Sequence, residues 1–266
     1  MRKIVRRIII VALLAAIGIS GYELSIISAQ YLSEAQVKEE MQRFRPPLDV
    51  YDLDPETDLT SSTEDVNASA LYLHPFDAEQ FARKSREAIR NMQTLINEDV
   101  LGWLYIPNTR IDYPLLFSGD NSYYLHKDIY HNDASAGSIF MDYRCDPALK
   151  SFNTIMYGHN MKNGSMFTDL RAFADPWFFA TNPSGVLILK DVAYRLQPFA
   201  YLIVSAEDEV IYNPQGNKER FLAYAASVAS IYKDPLPGYN IVTLSTCTAA
   251  GSGFRIVVLA SLIPLY

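Results

Sequence analysis

Hydrophobic and polar residues follow three different patterns along this chain. An apolar run without charged side chains occupies residues 8–21, directly after a basic N-terminus. Apolar side chains then recur at near-helical spacing over residues 76–98, which predicts an amphipathic helix. From residue 100 onward the pattern changes to short apolar runs separated by turn residues, which is typical of β-strands. Most of the chain is therefore predicted to be a β-domain that follows helical N-terminal segments.

The short apolar runs define the predicted fold class. Strands are predicted at 101–106, 111–117, 137–141, 153–157, 185–189, 194–197, 199–204, 210–212, 241–247 and 255–263. Helices are predicted at 166–181, with a break at Pro176, and at 218–232, which is long and rich in alanine. Many short strands with turn signals between them predict a mainly β domain, either a sandwich or a barrel, with a long helix between late strands.

The N-terminal apolar run indicates export. Basic residues precede it, and positive charge stays on the cytoplasmic side of a membrane. Its 14 uncharged residues suit a cleavable signal peptide, because a spanning helix needs about 20. The apolar character nevertheless continues to Ala29 with Glu23 as the sole charge, and the nearest small-x-small pattern lies inside the run. An uncleaved anchor over residues 1–29 is therefore the preferred interpretation, with a cleaved signal as the alternative.

A polar region separates the anchor from the β-domain. Residues 30–44 predict a polar helix, whereas residues 45–75 contain prolines, a Ser/Thr cluster and many acids. The second segment is typical of a linker or loose insertion. We therefore divide the chain into an anchor at 1–29, a helical and linker region at 30–98, and a catalytic β-domain at 99–266.

The distribution of charge excludes one class of partner. The net charge is −7, and without the four basic residues of the first seven positions the chain carries 19 basic against 30 acidic residues. Nucleic-acid binding needs clustered Lys and Arg, so no nucleic-acid partner is expected. His74, His126 and His131 lack metal-like spacing, and the sequence has no phosphate-cradling glycine loop, so no metal or cofactor is expected.

Three residues from separate strand ends form a candidate thiol acyl-transfer site. Cys247 ends a predicted strand, Arg255 begins the next strand, and His159 follows an upstream strand. Because side chains alternate along a strand, Ser245 shares the face of Cys247. If the last two strands pair as a hairpin, Arg255 lies close to Cys247.

These residue types suit amide cleavage through a covalent intermediate. The Cys247 thiolate is a nucleophile, and a nearby cation favours it over the thiol. Arg255 stays protonated and, with backbone N–H groups, can stabilise the oxyanion. His159 can protonate the leaving amine and then deprotonate the incoming nucleophile. Whether water or an amine resolves the thioester decides between hydrolysis and transfer.

A structural role for the cysteines is the main alternative from the residues themselves. In an exported protein Cys145 and Cys247 could form a disulfide, which would abolish the nucleophile. The chain would then be a non-catalytic, surface-anchored binding module. Replacing Cys247 by Ala separates the two hypotheses, because a binding module tolerates the change and a thiol enzyme loses all activity.

The motifs around these residues resemble those of class B sortases, the membrane-anchored cysteine transpeptidases of Gram-positive bacteria. The resemblance lies in Thr243-Leu-Ser-Thr-Cys247 followed by Arg255, and in Tyr157-Gly-His159. It extends to Val-Leu-Gly-Trp-Leu-Tyr-Ile-Pro from residue 100, Ile-Asp-Tyr-Pro from 111, Asp-Asn-Ser-Tyr-Tyr-Leu-His from 120 and Ala-Gly-Ser-Ile-Phe-Met-Asp-Tyr-Arg from 136. Papain-like enzymes usually place Cys before His, and L,D-transpeptidases keep a His-Gly-Cys-Arg type of cluster, so both fit less well.

The resemblance implies an eight-stranded sortase β-barrel and catalytic roles for Cys247, His159 and Arg255. It implies cleavage of a sorting motif of the Asn-Pro-x-Thr or Ser/Pro-Pro-x-Thr type after Thr, and transfer to an amine of peptidoglycan. The implied partners are surface proteins that carry sorting signals, the peptidoglycan amine and the cytoplasmic membrane. A single-pass anchor would leave the N-terminus cytoplasmic and the catalytic domain extracellular.

Other residues and one other activity follow from the same resemblance. A pilin-polymerising sortase, which uses a Lys side chain as acceptor, stays open as an alternative. Cys145 departs from the family, which more often has a polar residue there, and the insertion at 45–75 is longer than expected. Candidate substrate-binding or supporting residues are Ser245, Thr246, Tyr143 and Asn160.

Overall fold

The structure is a computed structural model that describes residues 2–48, 78–182, 184–249 and 252–265. The chain divides into two compact units, Met1–Glu40 and Met41–Tyr266. Most of the predicted insertion at 45–75 lies outside the described residues.

The first unit is helical. Helix α1 spans Arg2–Gln42, so the predicted anchor and the polar helix after it are continuous. Within it, Ile9–Gln42 is long and apolar enough to cross a membrane by length and composition, with a mean hydropathy of 2.0. The side chains of its most apolar 18-residue window are exposed rather than packed in a core, which agrees with an anchor but is also true of a signal sequence.

The second unit is a closed β-barrel. Its strands are β1 Val100–Tyr105, β2 Asp112–Leu116, β3 Ile139–Met141, β4 Asn153–Tyr157, β5 Gly185–Leu189, β6 Ala193–Ser205, β7 Ile231–Tyr232, β8 Asn240–Cys247 and β9 Phe254–Pro264. The order is β5-β1-β2-β3-β4-β8-β9-β6, and β6 pairs again with β5, so eight strands close the barrel. The two-residue β7 adds to β6 beside this ring. The predicted eight-stranded barrel is confirmed.

Helices cover parts of the barrel and connect its strands. Helix α2, Ala78–Leu95, is amphipathic as predicted and buries Phe81, Ile89 and Met92. A 3-10 helix at Phe167–Ala174 precedes α3, Pro176–Thr181, and α4 spans Lys218–Val228. Asp175 caps the start of α3 by accepting hydrogen bonds from two backbone N–H groups, so the predicted break at Pro176 is present.

Four predicted elements differ in the structure. The runs at 194–197 and 199–204 are one strand, β6, with a register irregularity between Pro198 and Ala200, where proline cannot donate a ladder hydrogen bond. Residues 231–232 form β7 instead of ending the helix. The predicted strand at 210–212 was wrong. The Asp208 carboxylate accepts the N–H groups of the first two of these residues, which holds the apolar run in a turn.

Three neighbouring strands carry the candidate chemistry. Strand β4 pairs in parallel with β8, and β8 pairs antiparallel with β9. Residues at the C-terminal ends of β4 and β8 therefore lie at the same edge of the sheet, together with the N-terminal end of β9. His159, Cys247 and Arg255 occupy these three strand ends.

Candidate active site

The β8–β9 hairpin brings the thiol and the guanidinium together. Cys247 and Arg255 are the last cross-strand pair of the ladder, so their side chains share one face of the sheet. The Thr248 N–H donates to the carbonyl oxygen of Phe254 at 3.2 Å. Nη1 of Arg255 donates to the carbonyl oxygens of Ser252 and Phe254, at 2.8 and 3.2 Å. The predicted hairpin is present, and it fixes one side of the guanidinium, while within the described part of the chain no hydrogen bond is made by Nε or Nη2.

The imidazole of His159 is oriented by a backbone carbonyl. Nε2 lies 2.7 Å from the carbonyl oxygen of Leu125. Because a carbonyl oxygen only accepts, Nε2 carries a hydrogen, and Nδ1 is the nitrogen that exchanges a proton. The His126 ring lies nearby, with its centroid 6.5 Å from that of His159.

A cavity of about 680 Å³ unites the three side chains. Cys247, His159 and Arg255 all line it, as do Ser245 and Thr246. Tyr143 is not among the described residues that line this cavity; its side chain is 52% exposed and its N–H donates to Asn121. The structure therefore brings five of the seven predicted site residues to one cavity.

Asn160 lies next to this group without lining the cavity. Its side-chain Nδ2 donates to the carbonyl oxygen of Cys247 at 2.8 Å and to that of Thr248 at 3.2 Å. Asn160 therefore contacts the backbone that carries the thiol.

Ser245 and Thr246 point to opposite faces of β8. The Ser245 hydroxyl lies 2.8 Å from the Tyr212 hydroxyl, and burial raises the pKa of Tyr212 to about 12. The Thr246 hydroxyl is buried and has no hydrogen-bond partner within the part of the chain that the structure describes. Since side chains alternate along a strand, the Thr246 side chain lies on the face of β8 opposite that of Cys247.

Residues 206–217, here called the cover segment, form one wall of the cavity. A buried amide holds this segment: Asn153 Nδ2 donates to the Ile211 carbonyl at 3.0 Å, while Asn153 Oδ1 accepts from the Thr243 hydroxyl at 2.7 Å. Glu207, Asp208 and Glu209 contribute acidic side chains to the wall.

Sequence reasoning missed a buried carboxylate behind the opposite wall. The side chain of Asp142 is fully buried and accepts hydrogen bonds from Nε and Nη2 of Arg144, from the Tyr157 hydroxyl and from the Asn121 amide. Burial alone would raise the pKa of Asp142, but these donors outweigh it and hold the pKa below its ordinary value. The three donors line the cavity, so Asp142 fixes the wall. No motif identifies this role, because the donors come from different segments.

Cys145 is a buried free thiol distant from Cys247. Its sulfur lies 3.3 Å from the Ile155 nitrogen, and burial raises its pKa to about 11. Ile155 pairs with Thr243, four residues before Cys247 on β8. At about 3.3 Å per residue these positions are roughly 13 Å apart along the strand, farther than a disulfide allows. Both cysteines are free in the structure.

Comparisons with known proteins agree with the geometry of the barrel and the site. The Sortase family model, described as a sortase domain, matches residues 104–263. Sortase B of Listeria monocytogenes is 38% identical over 186 residues, which cover 68% of this chain and 75% of that protein. The chain is a class B sortase.

Solved structures extend this relationship to the fold. The Staphylococcus aureus sortase B–substrate complex matches this sortase with a TM-score of 0.63 and 29% identity, covering 68% of this chain and 87% of that one. A crystal structure of sortase B complexed with triglycine matches with a TM-score of 0.63 and 28% identity, over the same shares of the two chains, 68% and 87%. The enzyme is accordingly a cysteine transpeptidase.

Among the described residues, no group of three or more His, Cys, Asp or Glu side chains is arranged to hold a metal ion. The lining of the cavity includes a thiol, an imidazole and a guanidinium, together with hydroxyl and carboxylate groups. Such a set can form and resolve an acyl-thioester without further groups.

Proposed function

We propose that this sortase cleaves a C-terminal sorting motif after Thr and transfers the new C-terminus to an amine of peptidoglycan. The observation that carries the proposal is the convergence of Cys247, His159 and Arg255 on one cavity. The solved structures add support, since sortase B is described in a complex with substrate and in a complex with triglycine, a peptide with a terminal amine.

In the first half-reaction the Cys247 thiolate attacks the carbonyl carbon of the Thr residue. The carbon–sulfur bond forms and the carbonyl electrons move to oxygen, where the free N–H groups of Arg255 stabilise the charge. The Thr248 N–H is bonded to Phe254 in the free enzyme, so we assign the main oxyanion contact to Arg255. The carbon–nitrogen bond then breaks as His159 donates a proton to the leaving amine, and an acyl-thioester remains on Cys247.

In the second half-reaction an amine replaces the thiol. His159, now neutral, removes a proton from the incoming amine, which attacks the thioester carbonyl. The carbon–sulfur bond breaks, an amide forms, and the Cys247 thiolate is regenerated. Ser245, on the cavity floor, is the best candidate for a substrate contact, with Thr246 and Tyr143 as further candidates.

We also propose the location of this reaction. Residues 1–29 would anchor the enzyme, residues 30–98 would connect the anchor, and residues 99–266 would form the catalytic domain outside the cytoplasmic membrane. The basic N-terminus and the apolar stretch of α1 support this orientation. In intact cells, a tag at the C-terminus should be accessible to external protease, and a tag at the N-terminus should be protected.

The decisive experiment uses the full-length enzyme in detergent with a panel of quenched fluorescent sorting peptides. Parallel reactions receive no acceptor, triglycine, a peptide with a Lys side-chain amine, or a peptidoglycan stem peptide, and mass spectrometry identifies the products. We expect cleavage after Thr and an amide to one acceptor, both absent in Cys247→Ala. Preference for the Lys peptide would instead indicate the pilin-polymerising activity. Turnover by Cys247→Ala would contradict the proposal.

A further inference from the structure

The side chain of Asn160 extends the pairing of β4 with β8 beyond the point where the two backbones separate. The Gly158 N–H donates to the carbonyl oxygen of Ser245 at 3.3 Å, in continuation of the parallel ladder. The carbonyl of Cys247 lies two residues further along the same edge of β8. If the ladder continued, this carbonyl would accept from the backbone N–H of residue 160. The side-chain Nδ2 of Asn160 donates to it instead, at 2.8 Å.

The backbone around Asn160 is bonded to a different part of the chain. Asn160 forms an isolated antiparallel bridge with Met166, and the carbonyl oxygen of His159 accepts from the Phe167 N–H at 2.9 Å. These bonds hold the turn that carries the imidazole against the residues before and within the 3-10 helix. The side-chain amide of Asn160 joins this turn to the strand end that carries the thiol.

From these contacts we infer that Asn160 is a positioning residue, which sets the distance and orientation between the Cys247 thiol and the His159 imidazole. Because a peptide unit is planar and trans, a Cys247 carbonyl directed at Asn160 sends the Thr248 N–H toward the opposite edge of the strand. There it donates to Phe254, on the strand that carries the oxyanion guanidinium. The backbone next to the Cys247 thiol is therefore hydrogen-bonded at both edges of β8.

The hydrogen-bond inventory of Asn160 argues against the substrate-binding role considered from sequence. Nδ2 has two hydrogens, and two carbonyl oxygens accept them, at 2.8 Å from Cys247 and 3.2 Å from Thr248. No side-chain N–H of Asn160 remains for a peptide ligand. Within the described part of the chain, Asn160 does not line the cavity. The inference rests on the proposed roles of Cys247 and His159, and it is independent of which peptide is cleaved.

The test compares Asn160→Ala and Asn160→Asp with a matched variant, Asn163→Ala, in the full-length enzyme. Asn163 lies in the same turn, and its side-chain oxygen accepts from the N–H and hydroxyl of Ser165. Alkylation of Cys247 by iodoacetamide is measured between pH 5 and 10 without any peptide substrate, and peptide mapping separates it from Cys145. Asn160→Asp has the same shape as the native residue but places an acceptor against two carbonyl oxygens. This variant tests the same contact if Asn160→Ala does not fold.

We expect both Asn160 variants to alter the rate or the pH midpoint of Cys247 alkylation, and Asn163→Ala to match the wild type. In peptide cleavage, kcat should fall about 10- to 100-fold with KM nearly unchanged, the effect of displacing a reactive group by about 1 Å. An unchanged alkylation profile in folded Asn160→Asp would overturn the inference. So would a raised KM with kcat intact, which would make Asn160 a substrate contact. If the wild type cleaves no peptide, the proposed function fails, while the alkylation profiles still decide the role of Asn160.

Discussion

The hydroxyl groups of Tyr212 and Ser245 lie 2.8 Å apart on the floor of the active-site cavity. This bond joins the cover segment to the strand that ends in Cys247. Burial raises the pKa of the Tyr212 phenol to about 12. Either hydroxyl can donate in this bond. The orientation of the Ser245 hydroxyl therefore depends on Tyr212.

Tyr212→Phe removes this bond and should lower the free energy of unfolding by about 1 kcal/mol. The KM for a sorting peptide should rise several-fold, because the Ser245 hydroxyl loses its partner, while kcat should change less. Tyr224→Phe is the matched control, since the Tyr224 hydroxyl bonds Asp208 in the same segment without contacting Ser245. An equal rise of KM in both variants would assign the effect to a loosened cover segment, against the prediction.

Arg255→Lys keeps a positive charge but should reduce kcat about 100-fold, the usual cost of losing an oxyanion donor. A guanidinium can bond the carbonyls of Ser252 and Phe254 through Nη1 and still present further N–H groups to an oxyanion. A lysine ammonium carries its three N–H donors on one atom, so it lacks the extended fork that spans the carbonyls and the oxyanion. Steady-state kinetics and a thermal melt of the same preparation check this; a kcat within threefold of the wild type would show that charge alone suffices.

Asp142→Asn should destabilise the enzyme by about 2 kcal/mol at neutral pH, after allowance for the partial exposure of Arg144. The hydrogen bonds to the carboxylate hold the pKa of Asp142 below its usual range, so its stabilising effect is present above about pH 4 and is lost as the pH falls further. Urea unfolding at pH 7 and at pH 3 should therefore show a large difference between the two proteins at pH 7 and a smaller one at pH 3. A constant difference would contradict the assignment.

Gly158→Ala should impair both stability and catalysis. A Cβ atom at this position would lie against Cδ1 of Ile139 and 2.8 Å from Cγ of Phe167, closer than packed atoms approach. Overpacking of this kind costs about 1 to 3 kcal/mol, and the displaced backbone leads directly to His159. Gly253→Ala, whose Cβ would meet nothing within 4 Å, is the control and should melt like the wild type. The prediction fails if both variants melt and turn over alike.

The sequence predicted two of the three candidate reactive residues from local features alone. The pattern Thr243-Leu-Ser-Thr-Cys247 predicts a strand with polar side chains on one face. A short hairpin then brings Arg255 to the thiol without any long-range assumption. His159 was a candidate from its residue type and its place after a strand, but its approach to the thiol depends on the parallel pairing of β4 with β8, which the spacing of residues does not show. The apolar run at 210–212 was wrongly predicted to be a strand, since the Asp208 carboxylate holds it in a turn.

By itself, the sequence determined a mainly β domain behind an apolar N-terminal helix, and the residue types that thioester chemistry needs. These follow from hydrophobic period, charge and short-range spacing, which are properties of neighbouring residues. Only the tertiary structure decided that Asp142 is buried behind the cavity wall, that Tyr212 bonds Ser245, and that the Asn160 amide contacts the Cys247 carbonyl rather than the cavity. Each is a hydrogen bond between groups distant in the chain, and its partner is set by strand order and register.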